Sequence, residues 1–158
     1  MMVDFLHAKR LSLISVIIFS IPSVYAKTVN VYYVIDGDTF VYKDNEQLKR
    51  VRLYCIDAPE KSQQFGLDSK EILASIILHK NVDLEIKGKD RYGREIALVS
   101  NYSHVVNLEM VSKGAAWVYN QYCQDNSYYI SQEFAKRNKF GMWALGSNIP
   151  PWEYRREH

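Results

Sequence analysis

Four acidic side chains stand close together in the first half of the sequence, among residues that favour β-strands. Asp36 and Asp38 flank a glycine in VIDGDTF, and Asp57 and Glu60 lie in IDAPE. Carboxylate oxygens suit a hard cation such as Ca²⁺ or Mg²⁺. An Asp-Gly pair also forms tight hairpin turns, so Asp38 has a second interpretation as a solvated turn residue.

Two arginines accompany these acids, Arg52 in RLYCIDAPE and Arg94 in DRYGRE. Arg52 and Asp57 are five residues apart, so regular strand alternation would place their side chains on opposite faces. They converge only if the strand bulges or ends before Asp57. Spacing alone therefore leaves two alternatives, a functional cluster or exposed strand charges with Asp57 capping a loop.

Hydrophobic periodicity predicts the elements that carry these residues. The predicted elements are strands at 29–35, 39–42 and 48–57, a helix at 67–80, strands at 82–86 and 95–99, and helices at 106–113 and 127–139. Gly114 is expected to stop the second helix. The order β-β-β-α-β-β-α-α predicts an α+β fold, a five-stranded Greek-key barrel of the OB type with three helices.

The N-terminal segment has the pattern of a signal peptide. Lys9 and Arg10 precede an apolar run at 11–21, and VYA follows with the small or aliphatic residues that a signal peptidase reads. The apolar run is shorter than the ~20 residues needed to cross a bilayer. We therefore predict a signal peptide at 1–26 and a single domain at 27–158, exported to the periplasm or the medium. An uncleaved membrane anchor is the alternative.

The charge of the predicted mature domain is close to neutral. The whole chain has 20 basic and 18 acidic residues. Removing Lys9, Arg10 and Asp4 leaves 18 basic against 17 acidic residues, a net charge of +1. Such a balance gives no bulk argument for a nucleic-acid partner, so a polyanion site would need local clustering of basic residues.

Two cysteines, Cys55 and Cys123, fall in the predicted mature domain. In an oxidising compartment an even pair is a candidate disulfide. Cys55 also lies in the apolar segment VRLYCI, so a buried free thiol is the alternative. Neither cysteine has a histidine near it in the sequence, so neither is predicted to be catalytic.

Three motifs in register, VIDGDT, RLYCIDAPE and DRYGR, closely resemble the signature of the staphylococcal (micrococcal, or thermonuclease) nuclease family. VNLEMVSKGAAWV is similar to the family's second helix with its glycine stop, and PPWEYRRE resembles the ending of many bacterial members. The resemblance implies a Ca²⁺-dependent endonuclease that hydrolyses phosphodiester bonds of DNA and RNA. It further implies little sequence preference and 3′-phosphate ends.

The resemblance also implies a metal site. Asp38 and Asp57 match the two metal-ligand aspartates of the family, and Asp36 looks like its nearby supporting acid. Ala58 stands where the family often has threonine. That ligand is a main-chain carbonyl, so losing the hydroxyl should matter little.

Roles in phosphate chemistry follow from the same resemblance. Arg52 and Arg94 match the two phosphate-binding arginines, and Glu60 matches the glutamate usually assigned as general base. Arg91 and Tyr92 match a lysine and a tyrosine that contact a neighbouring phosphate.

Base stacking is the least defined part of the resemblance, because the loop after the second helix does not align cleanly. Tyr119 and Tyr122 are the candidates there.

The expected partner is nucleic acid, with no stable protein partner and a monomeric chain. The main rival is a catalytically inactive OB-type nucleic-acid-binding module. An envelope-structural barrel is a third alternative, which would explain the many tyrosines.

Overall fold

The computed structural model describes residues 26–102, 104–146 and 149–158. Residues 1–25 of the predicted signal peptide lie outside this part. Within the described part, no helix combines the length and the apolar character that crossing a membrane would require.

A five-stranded barrel is the centre of the fold. The strands in chain order are β1 (Lys27–Val34), β2 (Thr39–Asp44), β3 (Gln47–Leu53), β4 (Ile56–Asp57), β5 (Asn81–Lys89), β6 (Glu95–Asn101), β7 (His104–Val105) and β8 (Trp117–Val118). The barrel follows the order β3-β2-β1-β5-β6 with antiparallel neighbours, and a parallel pairing of β3 with β6 closes it. The predicted α+β barrel of the OB type is therefore confirmed, in a closed form.

The third predicted strand, 48–57, is wrong beyond Leu53. The chain turns at Tyr54 and Cys55, where Cys55 has a φ of 72°. Residues 56 and 57 then form the separate strand β4, which pairs with β8 instead of continuing the barrel. This break lets side chains on either side of the turn face the same region, which regular alternation would forbid.

In the part of the chain that the structure describes, four α-helices accompany the barrel. They are α1 (Gly66–Ile77), α2 (Val106–Ser112), α3 (Asn126–Arg137) and α4 (Pro151–Glu157), and a 3₁₀ turn spans Gly141–Leu145. The three predicted helices correspond to α1, α2 and α3. Gly114 follows α2 with a φ of 65°, as expected of a glycine that stops a helix. The prediction missed α4, which begins with a proline.

The main core lies between the barrel and the helices α1 and α2. Its fully buried members include Phe40, Leu53, Leu73 and Met110. The polar residue Asn107 of α2 is fully buried with them. Its amide oxygen accepts the Val99 N–H at 2.9 Å, and its amide nitrogen donates to the carbonyls of Tyr54 and Ala97. Asn107 thus ties α2 to β6 and to the turn that ends β3.

The two cysteines are joined in a disulfide, with their Cα atoms 4.5 Å apart. Cys55 lies in the turn after β3, and Cys123 lies in the loop before α3. The main-chain N–H of Tyr119 also donates to the Cys55 carbonyl at 2.9 Å. This loop is therefore fixed against the turn that carries β3 into β4.

Candidate active site

Asp38 is buried at the entry to β2, where the loop from β1 returns to the barrel. The Ile35 N–H donates to the Thr39 carbonyl at 2.8 Å, which closes that loop. One carboxylate oxygen of Asp38 accepts the Thr39 hydroxyl at 2.9 Å. The other accepts the main-chain N–H of Ala58 at 2.7 Å. Asp38 is therefore a rigidly held carboxylate next to β4, not a solvated turn residue.

Arg52 joins Asp38 to Asp57. Its Nη1 lies 2.9 Å from Asp38 Oδ2, and its Nη2 lies 2.7 Å from Asp57 Oδ1. The same guanidinium donates to the main-chain carbonyls of Leu53 and Ile56 at 3.2 and 2.9 Å. The planar fork of arginine suits such a bridge. The two predicted metal ligands thus lie within the span of one guanidinium.

Glu60 stands at the edge of this cluster, in the loop between β4 and α1. Its N–H donates to the Gln63 side chain at 3.2 Å, and its carbonyl accepts the Gln63 N–H at 2.9 Å. The loop packs so closely on Gly66 that a Cβ there would lie 1.8 Å from the Glu60 carbonyl oxygen. Glycine at the start of α1 is therefore required for the position of Glu60.

A third arginine, Arg155 of α4, contacts the same acids. Its Nη2 lies 2.8 Å from Asp57 Oδ2, and its Nη1 lies 2.7 Å from Glu60 Oε1 and 3.3 Å from Asp57 Oδ1. The two carboxylates raise the pKa of Arg155 although burial lowers it, so the guanidinium stays charged. Sequence reasoning missed this residue, because its partners lie 95 and 98 positions away.

Burial raises the pKa of two of these acids, Asp36 and Asp57. Burial, with the charge of Asp38 added to it, raises the pKa of Asp36 to about 7. The Asp36 carboxylate accepts the Asp38 N–H at 3.0 Å and so supports the loop that positions Asp38. Burial likewise raises the pKa of Asp57, against the opposing effect of Arg155 and Arg52. A bound cation would favour the ionised form of both acids.

The donor set fits a hard cation through oxygen atoms. Asp38 and Asp57 offer carboxylates, and the main chain at Ala58 adjoins both. In the described ranges there is no group of three or more His, Cys, Asp or Glu side chains that could hold a metal. Because Ca²⁺ takes six to eight oxygen ligands, main-chain oxygens and water would complete its shell here.

Arg94 lies beside the acids but does not contact them. Its Nε lies 2.6 Å from Asp90 Oδ2, and its Nη1 lies 3.5 Å from the Thr39 hydroxyl, which in turn donates to Asp38. The guanidinium of Arg94 stands 5.6 Å from the ring centre of Tyr92, and that of Arg91 stands 4.8 Å from it. The loop between β5 and β6 thus presents a basic, aromatic surface next to the centre.

Comparison with known proteins places this arrangement in a family. A model of the family described as "Staphylococcal nuclease homologue" matches residues 50–145. The chain belongs to this family. An "Uncharacterized endonuclease" of Haemophilus influenzae is 44% identical over 146 residues, which cover 89% of this chain and 82% of that protein. The "Micrococcal nuclease" of Shigella flexneri is 34% identical over 152 residues, covering 89% and 87%.

Two residues of the cluster lie outside the segment that the family model matches. Asp38 precedes residue 50, and Arg155 follows residue 145. The matched segment carries Arg52, Asp57 and Glu60. The structure brings Asp38, at the entry to β2, and Arg155 of α4 into contact with these matched residues.

The two tyrosines predicted for base stacking, Tyr119 and Tyr122, follow β8 in the chain. Their ring centres are 5.3 Å apart, and Tyr119 is also 5.6 Å from Trp152 of α4. A groove of about 500 Å³ opens at this point. Its lining residues are Tyr119, Asn120, Gln121, Trp152 and Arg156. Trp152 and Arg156 were not predicted from the sequence as part of this surface.

Proposed function

We propose that this nuclease-family chain is a Ca²⁺-dependent endonuclease that hydrolyses phosphodiester bonds of DNA and RNA. We expect little sequence preference and 3′-phosphate ends. One observation carries the proposal: Arg52 brings Asp38 and Asp57 together on rigid strands, with Glu60 at their edge. A module that only binds nucleic acid has no use for these acids, since acids beside a polyanion are unfavourable without a metal.

The residues divide the chemistry among them. Asp38 and Asp57, with the Ala58 main chain, would hold Ca²⁺, which when bound offsets the charge of a phosphodiester oxygen. Glu60 would accept the proton of an attacking water. General-base catalysis of this kind contributes typically ~10²–10⁴-fold.

The arginines act on the phosphate. Arg94 has a planar fork that matches two phosphate oxygens, whereas Arg52, whose Nη atoms contact Asp38 and Asp57, would act on the phosphate through its charge. Fixed positive groups of this kind favour the charge that builds in the transition state. Arg94 needs only to exchange its contact with Asp90, which lies on the same exposed loop. The 5′-oxygen is the expected leaving group.

The nucleic acid would cross the centre between two aromatic surfaces. Arg91 and Tyr92 stand on one, where a neighbouring phosphate would bind. Tyr119 and Tyr122 stand on the other, and a base with its sugar would enter the groove of about 500 Å³ that Tyr119 lines. Stacking on such rings tolerates any base, which accords with weak sequence preference.

We also propose that the enzyme acts outside the cytoplasm as a monomer, after removal of residues 1–26. The Cys55–Cys123 bond supports this part of the proposal, because disulfides persist in oxidising compartments.

Digestion assays test the proposal. The 27–158 protein is incubated with single-stranded DNA, duplex DNA and RNA, with Ca²⁺ or with a chelator, and the product ends are mapped. We expect internal cleavage with Ca²⁺, none with chelator, and 3′-phosphate ends. A folded protein that retards DNA on a gel but cleaves none of the three substrates would contradict the proposal and favour a binding module.

A further inference from the structure

The C-terminal helix α4 is held against Tyr119 and against the loop between β4 and α1 by contacts that do not involve its arginines. The Trp152 ring packs 5.6 Å from the ring of Tyr119. The Tyr154 hydroxyl donates to the Ser62 hydroxyl at 3.1 Å. Pro151, the first residue of the helix, is buried. Arg155 therefore reaches the centre from a helix that is independently anchored.

The guanidinium of Arg155 leaves no carboxylate oxygen of Asp57 without a basic partner. Oδ1 contacts Arg52 at 2.7 Å, and Oδ2 contacts Arg155 at 2.8 Å. Arg155 also holds Glu60 at 2.7 Å. A cation that binds Asp57 competes with these contacts, because its positive charge repels the guanidinium that shares the same oxygens.

The two arginines differ in how readily they can withdraw. The Arg52 side chain is 15% exposed and is held by two main-chain carbonyls, whereas the Arg155 side chain is 44% exposed. Removing a buried guanidinium from its acids leaves charges without partners in a poorly solvated site. Arg155 can move into water at much lower cost.

We propose that Arg155 is a further positioning residue of this centre, the resident counter-ion of Asp57 and Glu60 that a divalent cation displaces on binding. In the metal-free protein it neutralises the acids and holds Glu60 in a hydrogen bond. Binding of the cation releases Glu60 to accept a proton. The availability of the base is thereby coupled to the presence of the metal, and the inference rests on the proposed function.

Calcium titration of the 27–158 protein without nucleic acid tests this role. Isothermal calorimetry gives the Ca²⁺ Kd of the wild type, Arg155→Gln and Arg155→Lys. The matched control is Arg137→Gln, which removes an exposed arginine from the end of α3. We expect Arg155→Gln to bind Ca²⁺ about tenfold more tightly, because one repelling charge is gone. Arg155→Lys keeps the charge but cannot hold Asp57 and Glu60 with two nitrogens, so its Ca²⁺ Kd should lie between those of Arg155→Gln and the wild type. Arg137→Gln should match the wild type.

Hydrogen exchange of the α4 amides is the second readout. Saturating Ca²⁺ should speed exchange in the last turn of α4, at 155–157, in the wild type, because Trp152 and Tyr154 hold the rest of the helix. It should leave Arg155→Gln unchanged, because that variant has no contact to lose. If Arg155→Gln does not fold, Arg155→Lys decides by the same criterion of tighter binding.

Every other outcome of the Ca²⁺ titration either supports or overturns the role of Arg155. Equal or weaker Ca²⁺ binding by the folded Arg155 variants overturns the inference, as does an equal shift in Arg137→Gln. If the wild type still cleaves DNA with Ca²⁺ in those cases, the proposed function stands. Binding by Arg155→Gln where the wild type binds no Ca²⁺ supports the inference. If neither the wild type nor Arg155→Gln binds Ca²⁺, both the inference and the proposed Ca²⁺ dependence are overturned.

Discussion

At the scale of single residues, the centre depends on which groups share each carboxylate. Arg52 spans Asp38 and Asp57, while Arg155 spans Asp57 and Glu60. Asp57 therefore belongs to both bridges and is 2% exposed. Lysine could not replace either arginine without losing one of the two contacts, since its ammonium is a point charge.

Glu60→Gln tests the assignment of the general base. The amide keeps the size of the side chain but cannot take a proton from water, so kcat should fall by about 10²–10⁴-fold with little change in KM. Exposed Glu71 on α1 offers a matched control, and Glu71→Gln should keep wild-type kinetics. A Glu60→Gln enzyme that loses affinity while keeping its kcat would refute the role.

Asp36→Asn tests the raised pKa of about 7. Because the folded protein holds this proton more strongly than the unfolded chain, ionisation of Asp36 lowers wild-type stability as pH rises from about 4 to about 7. The asparagine stays neutral and can still accept the Asp38 N–H. The melting temperature of the variant should therefore exceed that of the wild type by more at pH 8 than at pH 5. A difference independent of pH would contradict the shift.

Among the elements, the turn that ends β3 is the one that brings Asp57 to Arg52. The turn at 54–55 is held by Asn107 from one side and by the disulfide from the other. Asn107→Ala would leave the Val99 N–H and two carbonyls without these buried partners, which should lower the free energy of unfolding by about 2–4 kcal/mol. Urea denaturation measures this change.

The control for Asn107 is the exposed Asn138, whose amide donates only to the Phe134 carbonyl in the same helix. Asn138→Ala should change the free energy of unfolding by less than about 0.5 kcal/mol. Equal losses of unfolding free energy in the two variants would mean that Asn107 does not hold the turn at 54–55.

The sequence was sufficient for the barrel, the first three helices and the family, because periodicity and contiguous motifs are local signals. The break after Leu53 was not predictable, since a left-handed non-glycine residue at Cys55 has no pattern in the sequence. Alternation of the strand therefore misplaced Asp57 relative to Arg52. The family motif located both residues but not the contact between them.

The helix α4 had a signal that periodicity alone overlooked. Pro151 stands at its start, Glu153 in its first turn, and Arg155 and Arg156 in its last turn. This distribution suits the helix dipole. The contact of Arg155 with Asp57 had no signal, because it depends on how the chain folds back over 98 positions.

At the scale of the whole molecule, the Cys55–Cys123 bond closes a loop over a sequence separation of 68. The loop-entropy model assigns such a bond about 4 kcal/mol of stability. Reduction should therefore lower the melting temperature, and should also weaken activity because the bond fixes the turn beside Arg52. Differential scanning calorimetry with and without a thiol measures the first effect. An unchanged melting temperature after verified reduction would remove the bond from the account of stability.

Ca²⁺-dependent cleavage requires that Asp57, at the junction of the barrel and α4, be a metal ligand. The most direct measurement is the Ca²⁺ affinity of Asp57→Asn, with exposed Asp68→Asn as its control. Partners that only support a ligand already change metal affinity by about 10–100-fold, so loss of the ligand itself should weaken binding by more than about 100-fold and abolish cleavage. Asp68→Asn should behave as the wild type. Undiminished Ca²⁺ binding by a folded Asp57→Asn protein would contradict the account.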